Sequence, residues 1–199
     1  MSPAEKINSP KYTQILDTAQ ELFMRFGVKR VTVEEICRTA SVSKMTFYKF
    51  FSNKNDLVMW IMEKLMDEGQ GTFDKIMAGP EPFARKMDQF VQMKLDYGKR
   101  MSKEFLTDFM GYSPEVHDLI VQRSQQNRQK LLNAFETAQK LGEIRENLNL
   151  QFVEYMMNHI MEIAQDPQLL ALFPDTYQLT KQWLDFFLYG IMGGRKPDE

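Results

Sequence analysis

The side chains between positions 43 and 49 are the ones in this chain best suited to bind nucleic acid. They bring ammonium, hydroxyl, phenol and thioether groups together on one short stretch: Ser43, Lys44, Met45, Thr46, Tyr48 and Lys49. Ammonium and hydroxyl groups bind phosphate oxygens, and side chains also recognise base edges in a DNA major groove. We predict that these six residues contact double-stranded DNA, with Thr32 and Lys54 as further phosphate contacts and Met45 against a base edge or a thymine methyl group.

Two short helices joined by a tight turn must hold this stretch in place. A T-x-x-E capping box starting at Thr32 begins the first helix, whose apolar residues recur at i, i+3, i+4 and i+7. The Ser-Val-Ser run at 41–43 then interrupts the helix, because serine favours turns and caps, and its second serine caps a helix over residues 44–50. Three aromatic residues anchor that second helix to a core: Phe47, Phe50 and Phe51. Segment 32–51 is therefore predicted to be a helix-turn-helix.

A longer pattern surrounds these two helices. A first helix ends in F-x-x-x-G, a threonine-led helix follows, and then come V-S-x-x-T-x-Y-x-x-F and N-K-x-x-L. The residues that carry these motifs fall in register without gaps: Phe23, Gly27, Thr32, Ile36, Ala40, Val42, Ser43, Thr46, Tyr48, Phe51, Lys54 and Leu57. The run Ile15 to Leu57 resembles the DNA-binding domain of the TetR family of bacterial transcriptional regulators.

Two residues depart from that family's pattern. Ser41 stands where the family usually has a turn glycine, and Met45 stands where a small residue is common. We expect Ser41 to adopt a left-handed or strained conformation, which costs a non-glycine residue about 1 kcal/mol. We expect Met45 to change which bases are preferred.

Charge is distributed unevenly along the chain. Residues 1–60 carry nine Lys or Arg against six Asp or Glu, a net charge of +3, although the whole chain has a net charge of −2. A basic N-terminal part attracts phosphates, while an acidic remainder is repelled by the duplex. This distribution favours a sequence-specific regulator over a protein that coats nucleic acid.

The composition indicates a globular protein of the cytoplasm. With 199 residues, 43% of them apolar, the chain can build a sizeable core. Its single cysteine, Cys37, excludes an intramolecular disulfide, and we interpret it as a core residue in preference to a redox sensor. No apolar run is long enough to span a membrane, and the N-terminus lacks a signal-peptide pattern. We therefore expect a cytoplasmic location and no membrane partner.

Helical periodicity extends over most of the chain, without a strand signal, an internal repeat or a low-complexity tract. The predicted helices cover about 12–26, 32–40, 44–50, 53 to the glycines at 69 and 71 or beyond, 82–97, 102–110, 113–141, 149–165 and 175–192. The fold class is all-α. We predict an N-terminal three-helix helix-turn-helix (homeodomain-like) domain at 9–69, a larger helical effector-binding and dimerisation domain at 70–193, and a tail at 194–199.

The last two predicted helices carry wide apolar stripes. Stripes of this width leave apolar surface that the core of a single chain does not need, which favours an interface with another chain. The alternative is that both helices pack entirely within the core of one chain. The TetR resemblance implies that these helices pair with their copies, so we expect a homodimer whose two reading helices, about 34 Å apart, recognise a palindrome. The residues assigned to this interface are Phe152, Met156, Met157, Ile160, Leu184, Phe187 and Ile191.

Aromatic and methionine side chains recur at helical spacing between positions 73 and 117. Such stripes are commonly plain core, but fifteen methionines suit a pocket that reshapes around varied apolar ligands. The resemblance implies an effector pocket in this part of the chain, so we expect a small apolar effector. The residues assigned to it are Phe83, Met87, Phe90, Phe105, Phe109, Tyr112 and His117.

Enzyme signatures are missing from the sequence. There are two histidines, His117 and His159, and no Walker loop, dinucleotide fingerprint, G-x-S-x-G or H-E-x-x-H motif. His159 and Glu162 have the reverse order of the E-x-x-H pairs that bind metals in helical bundles. We predict no catalytic residue, no metal and no cofactor.

Two functions remain open. The first is a ligand-responsive transcriptional regulator, a repressor, that binds a palindromic operator as a homodimer and releases it when a small apolar effector binds. The alternative is an all-helical carrier or interaction protein for apolar small molecules. Salt separates the two, because DNA binding weakens steeply as salt rises and binding of an apolar ligand does not.

Overall fold

A computed structural model of the chain describes residues 9–164, 167–173 and 176–192. Within these residues all regular elements are α-helices, which confirms the predicted fold class. In chain order they are α1 Pro10–Phe26, α2 Val33–Thr39, α3 Lys44–Phe50, α4 Lys54–Ala78, α5 Phe83–Arg100, α6 Lys103–Met110, α7 Pro114–Lys140, α8 Leu150–Ala164, α9 Pro167–Leu170 and α10 Thr176–Met192. None of these helices is long and apolar enough to cross a membrane.

Side-chain caps begin several helices where the sequence predicts them. At the start of α4, Asn53 Oδ1 accepts a hydrogen bond from the Asp56 N–H at 2.9 Å, and Asp56 Oδ2 accepts one from the Ser52 N–H at 2.8 Å. At the start of α8, Asn149 Oδ1 accepts from the Phe152 N–H at 3.1 Å. Such bonds satisfy amide groups that the first turn of a helix leaves without an intrahelical partner.

Helix α4 takes the longer of the two predicted courses, and one further short helix was not predicted. Helix α4 runs through Gly69 and Gly71 as far as Ala78, because a glycine costs a helix only about 1 kcal/mol relative to alanine and does not remove a hydrogen bond. The short helix α9 falls between two predicted helices, because the dipeptide Asp166-Pro167 favours a helix end. Pro167 is the first residue of α9, a position where its missing N–H costs nothing.

The chain divides into two compact units. The first contains the described residues up to Gly69 together with 100–123, and the second contains 70–99 and the described residues from Ser124 onward. Helix α6 and the start of α7 therefore belong with the N-terminal helices, although they follow them by some thirty residues of α4 and α5.

Each unit has its own hydrophobic cluster. In the first unit the cluster unites α1, α2 and α3 with the start of α4 and with α6 and α7. Its fully buried large side chains include Ile15, Phe23, Ile36, Phe47, Phe51, Leu57 and Phe105. In the second unit a smaller cluster forms around Phe83, Met87, Leu132, Phe135, Ile144 and Val153.

Candidate nucleic-acid interface

Helix α3 presents one face to the core and the other to solvent. Phe47 is completely buried and Phe50 nearly so, and Phe47 lies 5.6 Å from the Phe51 ring. On the opposite side Met45 is 84% exposed and Tyr48 is 55% exposed. An exposed methionine and tyrosine on a short helix with a rigid aromatic anchor are available to contact a partner.

The two helices α2 and α3 begin with the caps that the sequence predicts. Thr32 Oγ1 accepts a hydrogen bond from the Glu35 N–H at 3.1 Å, and Ser43 Oγ accepts one from the Thr46 N–H at 3.0 Å. The hydroxyls of Ser43 and Thr46 also lie 2.9 Å apart. Thr32 and Ser43 remain exposed, so each can still donate its hydroxyl proton to a phosphate oxygen while it caps a helix.

The turn between α2 and α3 contains the strained residue that the sequence predicts. Ser41 has a φ of 51°, the left-handed region, as expected for a residue in the place of a glycine. Its N–H donates to the carbonyl of Arg38 at 3.2 Å, and the Val42 N–H donates to the carbonyl of Cys37 at 2.9 Å. This pair of bonds is a Schellman motif, which ends α2 and turns the chain at once into α3.

Lys44 does not point freely into solvent. Its ammonium forms an ion pair with the carboxylate of Glu34, which lies at the start of α2. The hydrogen bond lowers the pKa of the Glu34 carboxyl and raises the pKa of the Lys44 ammonium. No sequence pattern indicates this pair, because Glu34 and Lys44 lie on different helices. A phosphate at the predicted Lys44 contact would have to compete with Glu34 for the ammonium.

Lys54 is the predicted phosphate contact with the most enclosed position. Its ammonium lies 3.4 Å from the carbonyl of Lys29 and above the rings of Phe23 and Tyr112, at 5.9 and 5.6 Å. Burial lowers its pKa, and Asp108 opposes that shift. The predicted contact requires this half-buried ammonium to leave the two rings, whereas Lys49 is already exposed.

An acidic residue that the sequence did not single out secures the loop between α1 and α2. Asp108 Oδ2, on α6, accepts a hydrogen bond from the Lys29 N–H at 2.8 Å, and its other oxygen lies 3.7 Å from the Lys29 ammonium. Gly27, with a φ of 83°, leaves the space for this carboxylate, because a Cβ there would lie 2.7 Å from Asp108 Oδ2. Ser102, which caps α6, also donates its N–H to the carbonyl of Met24 at 2.9 Å.

The seven residues assigned to the effector pocket do not form a single cluster. Phe83 and Met87 are buried in the second unit, with Phe90 packed against them, whereas Phe105 and Tyr112 belong to the cluster of the first unit. His117 is exposed. The side chain of Phe109 lies outside the described part of the structure. Sequence periodicity places such residues on helix faces but does not show which cluster each face joins.

The residues assigned to the dimer interface are described only in part. Phe152 is 59% exposed, and Met156 and Leu184 are half-buried. The side chains of Met157, Ile160, Phe187 and Ile191 lie outside the described residues. Within the described residues, no three His, Cys, Asp or Glu side chains come together as a group that could hold a metal ion.

Comparison with known proteins connects this geometry to a family. A family model for bacterial regulatory proteins of the tetR family matches residues 15–59, the segment that contains α2, the turn and α3. The uncharacterised HTH-type transcriptional regulator YhgD of Bacillus subtilis is 32% identical over 85 residues, which are 43% of this chain and 44% of that protein. The match thus spans less than half the length of this curated relative.

One of the longer matches is to a regulator of fatty acid metabolism. The fatty acid metabolism regulator protein of Bacillus subtilis is 25% identical over 139 residues, 70% of this chain and 62% of that protein. A solved structure of the Bacillus subtilis regulator FadR, in complex with stearoyl-CoA, superposes with a TM-score of 0.66 and 18% identity, over 90% of this chain and 99% of that one. At that identity the likeness shows the fold alone.

Proposed function

We propose a function from the premise that this chain belongs to the TetR family of bacterial regulatory proteins. The protein is a ligand-responsive transcriptional repressor that binds a palindromic operator as a homodimer. A small apolar effector releases it from DNA. The DNA-binding domain covers 9–69, and the effector-binding and dimerisation domain covers 70–193.

The observation that carries this proposal is the outer face of α3. Met45 and Tyr48 are exposed there beside the cationic side chains of Lys44 and Lys49. In a monomeric globular protein a methionine that is 84% exposed contributes no burial free energy to folding, since its apolar surface remains in water. In a major groove the same surface packs on base edges while the neighbouring cations bind phosphates.

The homodimer is supported by apolar surface near the C-terminus. Phe152 and Tyr155 on α8 and Phe186 on α10 are each more than half exposed in the single chain. Large aromatic side chains left in water at this density favour association, since burying each one is worth about 1.5–3 kcal/mol. A two-fold dimer would also double the number of bases read by a helix of seven residues.

The nature of the effector is inferred from the relatives named above. Two of them are a fatty acid metabolism regulator and a FadR whose structure contains stearoyl-CoA. In this chain Phe83, Met87 and Phe90 lie on one face of α5 within the second unit, where they belong to one apolar cluster. We propose a long-chain acyl compound as the effector and these three residues as part of its site.

Two substitutions on α3 test the DNA-binding surface. We expect Lys44→Ala and Tyr48→Ala each to weaken binding to the operator by roughly 1–3 kcal/mol per subunit, because each removes a contact to phosphate or base. Fluorescence anisotropy with DNA from upstream of the protein's own gene measures the affinity, and sedimentation confirms that the dimer is intact.

Lys75→Ala is the matched control, since it removes an exposed cation from α4 in the second unit. Its operator affinity should equal that of the wild type. Unchanged affinity in both α3 variants would exclude these residues from the interface. Salt-independent binding, or none, would favour the carrier protein.

A further inference from the structure

Two arginines rest on one phenylalanine at the end of α1. The guanidinium carbon of Arg25 lies 4.9 Å from the centre of the Phe26 ring, and that of Arg30 lies 4.7 Å from the same centre. The two positive groups are therefore no further apart than the sum of these distances. Both arginines are exposed, whereas Phe26 is half-buried and packs against the cluster of the first unit. An anchored ring thus holds two cations close together at the surface.

No acidic side chain compensates these two charges. Glu21 precedes Arg25 by one helical turn, and Glu104 on α6 lies beside Gly27, since a Cβ added there would be 3.1 Å from the Glu104 Cβ. Among the described residues neither of these, nor any other carboxylate, forms an ion pair with Arg25 or Arg30. Like charges held close together repel each other, and an anion that binds to them relieves the repulsion.

The helix dipole explains one of the two positions. Arg25 is in the last turn of α1, where the partial negative charge of the helix end stabilises a cation. Arg30 lies in the loop beyond that end, and the effect of the dipole falls off within the last turn. The second arginine on the Phe26 ring therefore has no such structural reason, which favours a role in binding.

Arg30 lies beside two residues that are predicted to contact phosphate. It precedes Thr32, the exposed cap of α2, by two residues. The Lys54 ammonium lies 3.4 Å from the carbonyl of Lys29, the residue directly before Arg30. The backbone at Arg30 thus runs between the Thr32 hydroxyl and the Lys54 ammonium.

The end of α1 connects Lys54 with both arginines. Phe23 and Phe26 are three residues apart on α1, so their side chains are neighbours on the helix surface. The Lys54 ammonium lies 5.9 Å from the centre of the Phe23 ring, and the two guanidinium groups lie on the next ring. Three cations therefore belong to one continuous surface, of which only the lysine was predicted to contact DNA.

We propose that Arg25 and Arg30 bind neighbouring phosphates of the operator backbone, next to the phosphate contact of Lys54. This inference rests on the proposed function, since it adds two contacts to the same interface. Guanidinium groups suit these contacts, because each presents a planar fork of N–H donors that matches phosphate oxygens. The Phe26 ring holds both groups in place without DNA, so binding costs less side-chain entropy.

The salt dependence of DNA binding tests the proposal. Fluorescence anisotropy measures the affinity of the full chain for the duplex from upstream of its own gene and for a scrambled duplex, between about 50 and 200 mM salt. Arg25→Gln and Arg30→Gln should each weaken binding to both duplexes by the same factor. Each should also lower the slope of log affinity against log salt by about 0.9 per subunit, and the double variant by about 1.8.

Arg145→Gln is the matched control, because it removes an exposed arginine from the second unit. It should keep the wild-type affinity and slope. Urea denaturation followed by circular dichroism confirms that each variant is folded.

Phe26→Leu tests the part of the ring. It keeps both charges and leaves an apolar side chain against the cluster. We expect its affinity for both duplexes to fall about two- to fivefold per subunit, the worth of an exposed cation–π contact, while the salt slope stays that of the wild type. Wild-type affinity in this variant would show that the ring does not position the arginines.

Three results would overturn the phosphate contacts. Wild-type slopes in both arginine variants would exclude the two residues from the interface. A loss of affinity for the upstream duplex alone would mean that the arginines read bases. Both results leave the proposed function standing, whereas a wild type that binds neither duplex would overturn the proposed function as well.

Discussion

The faces of two helices, α1 and α5, show how the two units differ. On α1 the residues at helical spacing, Ile15, Ala19 and Phe23, have no accessible surface, so the stripe is closed along its length. On α5 the stripe begins with buried Phe83 and Met87 but ends at Lys94 and Gly98, which are exposed. The same periodicity therefore builds a fully buried stripe in the first unit and one that becomes exposed towards its end in the second.

The largest change in the free energy of unfolding is expected when one fully buried phenylalanine is removed from each cluster. We expect Phe47→Ala in the first unit to cost about 5 kcal/mol and Phe135→Ala in the second about 3 kcal/mol, because Phe135 belongs to a smaller cluster whose residues can relax further into the cavity. Urea denaturation followed by circular dichroism measures both free energies of unfolding. Equal costs would show that the size of the cluster does not decide how far its residues relax.

Two glycines with positive φ give the next test. Gly27→Ala forces a Cβ to within 2.7 Å of Asp108 Oδ2 and a side chain into a backbone region that glycine alone adopts, so we expect a loss of about 3 kcal/mol. Gly142→Ala meets nothing within 4 Å, so only its φ of 72° costs energy, about 1 kcal/mol.

The same urea experiment decides the outcome, and Gly142→Ala serves as the control for backbone strain. A Gly27→Ala variant as stable as Gly142→Ala would mean that the Asp108 carboxylate moves aside at no cost. The loop before the helix-turn-helix would then not depend on its contact with α6.

What the sequence predicts well is local. The caps at Thr32 and Ser43, the left-handed Ser41 and the buried face of α3 all depend on residues within one or two helical turns of one another. Periodicity and capping chemistry determine such features, which is why they are visible in the sequence.

What the sequence does not predict depends on contacts between distant segments. Asp108 accepts a hydrogen bond from Lys29, 79 residues away, and no pattern links the two. Phe83 and Phe105 are both aromatic residues in apolar patterns of helical spacing, yet they belong to different clusters.

A substitution of Glu34 tests what the ion pair with Lys44, which is present without DNA, does to the proposed DNA-binding surface of the first unit. Its carboxylate holds the Lys44 ammonium and repels phosphate. We expect Glu34→Gln to raise the affinity for both the operator and a scrambled duplex about two- to fivefold, the scale of one exposed ion pair. Fluorescence anisotropy with both duplexes gives the ratio.

The control is Glu21→Gln, which removes an exposed carboxylate from α1 and should change neither affinity. If Glu34→Gln weakens operator binding, the ion pair positions Lys44 for the proposed DNA contact and does not merely compete with phosphate.

The smallest effect concerns the same capping position in the two units. Ser41 and Gly142 both follow a helix end and carry the paired hydrogen bonds of a Schellman motif, but one is a serine and the other a glycine. Ser41→Gly should stabilise the protein by up to about 1 kcal/mol, because relief of the left-handed φ exceeds the added freedom of the unfolded chain. Ser41→Ala, which keeps the strain, should change stability by less than about 0.5 kcal/mol.

Since Ser41→Gly and Gly142→Ala are opposite changes at equivalent positions, their effects on the urea midpoint should nearly cancel in the double variant. A destabilising Ser41→Gly would show that the serine side chain contributes to the stability of the turn before α3.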